Sequence, residues 1–375
     1  MIYNESHYNK DWETKKLTDL GVFSRGISKH RPRNDPQLFD GGGYPLIQTG
    51  EIKEANLYIT RHSQEYGKFG VEQSKLWAKG TLCITIAANI AETAILSYPM
   101  CFPDSVVGFI ANKQVSSEEF MYYVFNYIKN SVQNAATGSA QDNINIDYLT
   151  SMQFKIPSKT YQDKLVLVLS MIDKKILINE AINDNLQQMA HMTYMHLFFG
   201  KKSNGLLGDI IIENQKSDIQ VGDAKDSDGV IPVFTSGDAV LRWPSALVGG
   251  RNCFLNTGGN AGIKFYVGKT AYSTDTWCIT GTDDLSDYLY LLLDSLKPEI
   301  SKKFFQGTGL KHLQKPLLKE RPIYIPSQSE RESFNSMVTP WLTMVSDNIR
   351  ESHQLATLRD WLLPMLMNGQ ASIVD

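Results

Sequence analysis

Residues 138–200 and 307–369 repeat one another without a gap at an offset of 169. Gly138-Ser139 faces Gly307-Thr308, and Phe154-Lys155-Ile156-Pro157-Ser158 faces Ile323-Tyr324-Ile325-Pro326-Ser327. Leu165, Ile172, Ile176, Asn179, Leu186, Leu197 and Gly200 then face Phe334, Trp341, Val345, Asn348, Leu355, Leu366 and Gly369. Upstream, Tyr44-Pro45-Leu46-Ile47-Gln48-Thr49-Gly50 is echoed by Ile231-Pro232-Val233-Phe234-Thr235-Ser236-Gly237. A duplicated body, each copy closed by a long helix, suits a molecule that touches two similar things at a set separation.

A chain of 375 residues is too long for one ordinary core, so two or three domains are expected. With 42% hydrophobic and 21% charged residues the composition is that of a globular protein. The net charge of −3 leaves any nucleic-acid contact to local patches. Cys83, Cys101, Cys253 and Cys278 are widely spaced, without CxxC, and read as buried thiols of a reducing compartment. The N-terminal MIYNESHYNKDWETKK has no apolar signal-peptide core, and no run approaches the ~20 apolar residues of a membrane helix. The expectation is a cytoplasmic protein with no membrane partner.

From Leu17 to about Pro157, short β-rich runs such as Tyr44–Thr49, Thr81–Ala87 and Val106–Ala111 alternate with Gly, Pro and Asn. Glu118–Lys129 breaks this with aromatic residues at helical spacing, and Ser116 or Ser117 suits its N-cap. Residues 206–326 follow the same plan, with Leu285–Leu296 in the place of the aromatic helix. Each body is therefore a mixed α/β fold.

A helix of unusual length follows each Ile-Pro-Ser, from about Tyr161 to Phe199 and from about Glu330 to Met367. Ser158 and Ser327 are candidate caps, and Gly200 and Gly369 mark the ends. Apolar residues at 165, 169, 172 and 176, and at 334, 338, 341 and 345, give the 3–4 spacing of a coiled-coil seam. About 36 residues at ~1.5 Å each make a rod of ~54 Å. Asn179 and Asn348 sit at equivalent seam positions, where a polar residue fixes register and partner docking; a partly wet seam is the plainer alternative. Pro340 is expected to kink the second helix and Pro364 to fray its last turn. The boundaries that follow are 1–157, 158–200, 201–326, 327–369 and a tail, 370–375.

Enzyme chemistry is missing where it would be expected. There is no Walker loop, and Asn256–Gly262 lacks the GxGxxG order, reading instead as a β-turn. No Asn-Pro-Pro-Tyr or Asp-Pro-Pro-Tyr motif is present to grip a flipped adenine. His191 and His196 miss the i,i+4 spacing of a helical metal site, so no metal centre is expected.

Local charge is more informative. Ser24–Arg33 carries Arg25, Lys29, Arg31 and Arg33 with no acid. After Asp238, the stretch to Lys269 holds Arg242, Arg251, Lys264 and Lys269, also without one. Ser301–Arg321 adds Lys302, Lys303, Lys311, Lys315, Lys319 and Arg321 against Glu320 alone. Basic loops on a rigid body suit phosphate contacts. Each patch taken singly also fits a solvated loop. In Ala136–Ile146, Gln141, Asn143 and Asn145 are either base contacts or turn formers.

Three further motifs complete the pattern: Trp12-Glu13 with Leu17-Thr18-Asp19-Leu20, Tyr272-Ser273-Thr274-Asp275-Thr276, and the terminal Leu358-Arg359-Asp360-Trp361-Leu362-Leu363-Pro364-Met365-Leu366-Met367-Asn368-Gly369-Gln370. With the Thr137–Ile144 loop and the duplication, the chain resembles a specificity subunit of a type I DNA restriction–modification system over nearly its whole length. The second loop, Gly307–Leu313, departs from the Gly-Ser-x-Gln type of the first.

The resemblance implies two pseudo-symmetric α/β target-recognition domains separated by two long antiparallel coiled-coil helices. Each domain would read half of a bipartite, asymmetric site in double-stranded DNA. The helices would set the spacing and dock two adenine-N6 methyltransferase subunits, which would carry the S-adenosylmethionine, and a restriction/translocase subunit would complete the assembly. This chain would need no cofactor and would not be an enzyme. A stand-alone duplicated DNA-binding protein and a two-headed protein–protein scaffold are the rival readings.

Overall fold

The structure, a computed structural model, describes residues 2–137, 146–237, 239–307 and 309–373. The chain divides into two compact units, Met1–Leu177 with His353–Asp375, and Ile178–Ser352.

In the first unit a five-stranded sheet runs in the order Gly21–Arg25, Val106–Ala111, Leu82–Thr85, Thr93–Leu96 and Tyr58–Ile59. The second unit builds a four-stranded sheet in the matching order Ile211–Glu213, Thr276–Gly281, Arg251–Asn256 and Ile263–Val267. The upstream echo is also structural. Tyr44–Leu46 pairs in parallel with Met100–Cys101, and Ile231–Phe234 pairs in parallel with Ala271–Tyr272. Each unit closes with a short antiparallel pair, Glu13–Lys16 with Gln153–Ile156 and Gly205–Leu206 with Pro322–Ile323.

Helix α1, Glu118–Thr137, outruns its sequence signal by two turns, with Val132 continuing its buried face past Lys129. Ser117 caps it, its Oγ accepting the Phe120 amide at 3.1 Å. Phe120, Tyr123 and Phe125 are buried against Leu82, Ile84, Val107 and Phe109 of the sheet. Each such ring contributes about 1.5–3 kcal/mol. In the second unit, Ser286–Ser295 follows α2 (Lys159–Phe198) as α3 and lays Tyr288, Leu289 and Leu293 over Cys253, Leu255 and Ile279.

The last helix is α4, Gln328–Met367. Ser158 and Ser327 stand at the two starts: Ser158 Oγ accepts the Tyr161 amide at 3.4 Å, and the Ser327 hydroxyl donates to Glu330 at 2.8 Å. Gly200 and Gly369 end the helices at φ +77° and +80°, the left-handed conformation that glycine adopts without strain. In the second unit α2 and α4 run antiparallel. Asn179 reaches Ser352 and, one turn on, Asn183 meets Asn348, one turn back. In the first unit, Leu165 and Leu169 share a core with Leu363, Leu366 and Met367.

Two details of the seam differ from the sequence pattern. Asp173 and Leu342 are the buried residues, while their neighbours Ile172 and Trp341 are half-buried. Pro340 and Pro364 are exposed, and α4 runs through both positions. Among the described residues no helix is long and apolar enough to cross a membrane.

Candidate nucleic-acid interface

In the first unit, Gly26 carries the basic segment across the turn at Phe102–Ser105. A Cβ at Gly26 would lie 2.2 Å from the Pro103 carbonyl oxygen, so only glycine fits. Three arginines then converge on one residue. Arg25 Nε donates to the Asp104 carbonyl at 2.7 Å, while Arg33 and Arg31 approach its carboxylate at 2.6 and 3.5 Å. The patch that is acid-free along the sequence therefore has an acid in space, donated by a loop 71 residues away. Arg31 and Arg33 remain about half exposed, and Lys29 is exposed beside them. Arg25, Lys29, Arg31 and Arg33 outnumber the carboxylates of Asp104 and of Asp35, which meets His30 at 2.8 Å, and leave the segment net positive. Gln141 and Asn143 lie outside the described residues.

In the second unit four segments converge: 235–237, the hairpin loop 257–262, 273–275 and part of 307–313. The Asp275 carbonyl is their hub, accepting from the Thr257 amide at 3.1 Å, the Thr257 hydroxyl at 2.8 Å and the Ser236 hydroxyl at 2.5 Å. Asn256 Nδ2 donates to the Ser236 and Asn260 carbonyls at 2.9 and 3.1 Å, and its side chain lies where a Cβ at Gly262 would fall. The Gly259 amide donates to the Lys311 carbonyl at 2.9 Å, and the Leu313 amide to the Thr257 carbonyl at 3.0 Å. The glycine-rich segment is the loop of a hairpin, closed by the Asn256 amide on the Gly262 carbonyl at 3.0 Å, and it buttresses the loop carrying Lys311.

The remaining basic residues separate by role. Lys264 Nζ donates to the Thr235 carbonyl at 2.7 Å and also to the Gly237 carbonyl, pinning the first segment. Arg251 is partly buried, its side chain 24% exposed, and it is engaged within the unit. Its guanidinium meets buried Asp287 at 2.7 Å and Thr343 Oγ1 at 2.9 Å. Arg242 is half-buried on Leu241–Trp243, opposite Pro232. Lys303 pairs with Glu299 at 3.0 Å, and Arg321 meets the same carboxylate at 2.8 Å. Lys315 lies 4.9 Å from the centre of the Trp277 ring, and burial holds its ammonium below the usual lysine range. Lys302 and Lys311 are exposed, with no carboxylate at ion-pair distance among the described residues.

Sequence windows missed Asp104, which lies far from the arginines it meets, and the hub role of the Asp275 carbonyl, a backbone atom carrying no side-chain signal. On the seam, Asn179 is fully buried, donating to Glu351 at 2.8 Å and to Ser352 at 3.3 Å, while its Oδ1 has no hydrogen-bond partner. Asn348 pairs with Asn183 at 2.8 Å, so the two repeat-related asparagines use different partners.

The family described as "Type I restriction modification DNA specificity domain" matches residues 9–188 and 203–334. The chain is 22% identical to the type I restriction enzyme MjaIX specificity subunit of Methanocaldococcus jannaschii, over 98% of this chain and 95% of that one. The structure of the type I restriction–modification S subunit from M. genitalium superposes with a TM-score of 0.60 at 14% identity, covering 100% of both chains. That likeness shows the fold. Built twice on one strand order and matched in both copies, the chain belongs to the DNA specificity subunits of type I restriction–modification systems.

Proposed function

We propose that each unit reads one half of a bipartite, asymmetric site in double-stranded DNA, and that the chain thereby directs adenine-N6 methylation and restriction by partner subunits. The observation that carries this reading is the repeated strand order, each copy bearing a basic loop face. Lys29, Arg31 and Arg33 in one unit and Lys302, Lys303 and Lys311 in the other are the proposed phosphate contacts. These position a duplex, while neighbouring polar groups read base edges. Arg25 and Lys264 act behind them, bracing the neighbouring loops at Asp104 and at 235–237.

Helices α2 and α4 set the gap between half-sites. Two methyltransferase subunits, which supply S-adenosylmethionine and the flipped-base chemistry, dock against the helices, and a restriction/translocase subunit completes the complex. Ile178, Ile182, Met189 and Met192 support the docking role. They repeat at heptad spacing on α2, and all are exposed, so they form an apolar seam ready for a partner helix.

The test is genome-wide mapping of N6-methyladenine in cells with and without the chain, alongside its co-purification with a methyltransferase. A two-part motif with one fixed gap is expected, and it should vanish with the gene. Inserting four residues into both long helices adds about 6 Å, on the order of two base-pair rises, and the gap should change accordingly. A gap of unchanged length would overturn the ruler, and methylation indifferent to the chain would overturn the whole reading.

A further inference from the structure

We infer that Leu310 is a wedge which the second unit inserts between base pairs of the duplex it reads. This rests on the DNA-binding reading above.

Leu310 is 66% exposed on the connection between Phe305–Gln306 and His312–Leu313. Its base is fixed on two sides. The Lys311 carbonyl is held by the Gly259 amide at 2.9 Å, and the Gln314 amide donates to the Phe304 carbonyl at 2.8 Å. The turn behind it demands glycine: Gly307 has φ +151°, and a Cβ there would lie 2.6 Å from the Leu310 carbonyl oxygen. Alongside runs bare backbone, with Leu310 Cδ2 3.8 Å from the position of a Cβ on Gly258. The result is an anchored segment that leaves the Leu310 isobutyl group largely exposed beside Gly258.

One exposed leucine is ordinary. This one sits in a lysine-rich stretch of the sequence. Lys311 follows it directly, and Gln306, paired with His312, donates to the Lys303 carbonyl at 3.3 Å. From Ile300 to Lys319 the sequence contains no acid. A ligand that accepts an apolar side chain next to an ammonium group on an acid-free stretch has an apolar interior beside anionic rails, and stacked base pairs between two phosphate backbones have that chemistry. A narrow, glycine-flanked tip fits a base step, where apolar wedges unstack neighbouring pairs.

The repeat adds an asymmetry. Position 310 aligns with Gln141, a hydrogen-bonding residue, so the wedge belongs to the second copy alone. Partial unstacking there would ease extrusion of a nearby base for a base-modifying partner.

The experiment uses the chain assembled with its methyltransferase and duplexes carrying 2-aminopurine at successive positions of the second half-site. Wild type is expected to raise fluorescence several-fold at one step. Leu310→Ala should abolish that rise and weaken binding about tenfold, the weight of burying one leucyl group, with the salt slope intact. Leu310→Met should retain most of both. Equal fluorescence in wild type and Leu310→Ala overturns the wedge. So does a matching loss of affinity on replacing thymine by uracil, which would identify a methyl contact in the major groove instead. Loss of the methyltransferase from Leu310→Ala with DNA affinity retained makes Leu310 a protein contact, and again the wedge fails. If the wild-type complex shows no preference for a two-part site over random duplex, the specificity reading itself fails and takes the wedge with it.

Discussion

Arg359 Nη1 donates to Asp173 Oδ1 at 2.7 Å, and the carboxylate it meets is closed off from solvent. The Tyr123 hydroxyl donates to the other carboxylate oxygen at 2.6 Å, so α1, α2 and α4 of the first unit meet on one charge. Removing one member of a buried pair strands the other. Asp173→Ala should destabilise this unit by about 3–5 kcal/mol, and the double variant Asp173→Leu, Arg359→Leu should recover much of it. Hydrogen exchange across 118–137 reads the effect, and equal protection in wild type and Asp173→Ala would refute it.

Arg251 offers a contrast between holding the fold and holding DNA. Its partner Asp287 is 2% exposed, so Arg251→Gln should destabilise the second unit by about 3 kcal/mol. Because the guanidinium faces Asp287 and Thr343, the salt dependence of DNA binding should not move. Thermal unfolding and a salt titration of the same protein separate the two outcomes.

Lys302, Lys303 and Lys311 should behave in the opposite way. Replacing all three by alanine is expected to leave the melting temperature nearly unchanged and to weaken DNA binding. If each meets one phosphate, the slope of log K against log salt falls by about 2.7. A titration with the wild-type slope and affinity removes this patch from the interface.

Glu330 links acid stability to the start of α4. Its hydrogen bond from Lys201, followed by those from the Ser327 amide and the Tyr324 hydroxyl, pulls its carboxyl down to about 2. A carboxyl depressed in the folded state adds stability that is present above its ordinary value of 4.5 and is lost as pH falls toward about 2. Glu330→Gln should therefore be less stable than wild type at neutral pH, with the difference shrinking through that window. Melting temperatures measured from pH 7 to 2 check the sign, and a constant difference would contradict it.

Asn179 presents a buried acceptor with no partner, so Asn179→Leu should hold or raise stability by about 1 kcal/mol. The price falls on register: disulfide cross-linking between α2 and α4 should then capture pairings other than the native one. A single captured register in both proteins would mean that Asn179 does not set it.

The duplication was legible because it lies in the order of residues. The caps at Ser158 and Ser327 and the stops at Gly200 and Gly369 were legible because they act within one helical turn. What escaped was remote. The arginines at 25, 31 and 33 look unopposed until the fold brings Asp104 to them, and Arg251 looks exposed until α3 supplies Asp287. The apolar period suggested Ile172 and Trp341 for the seam. A charged residue, Asp173, took the interior instead because Arg359 and Tyr123 compensate it, a pairing that no local pattern displays.

The two bodies are assembled on different schedules. The second is one uninterrupted stretch, Ile178–Ser352, whereas the first is closed by 353–375. The first, although made earlier, waits for Leu363, Leu366 and Met367 before Leu165 and Leu169 are covered. A chain lacking 353–375 would therefore leave Leu165 and Leu169 without Leu363, Leu366 and Met367, an uncovered apolar surface of the kind that drives aggregation.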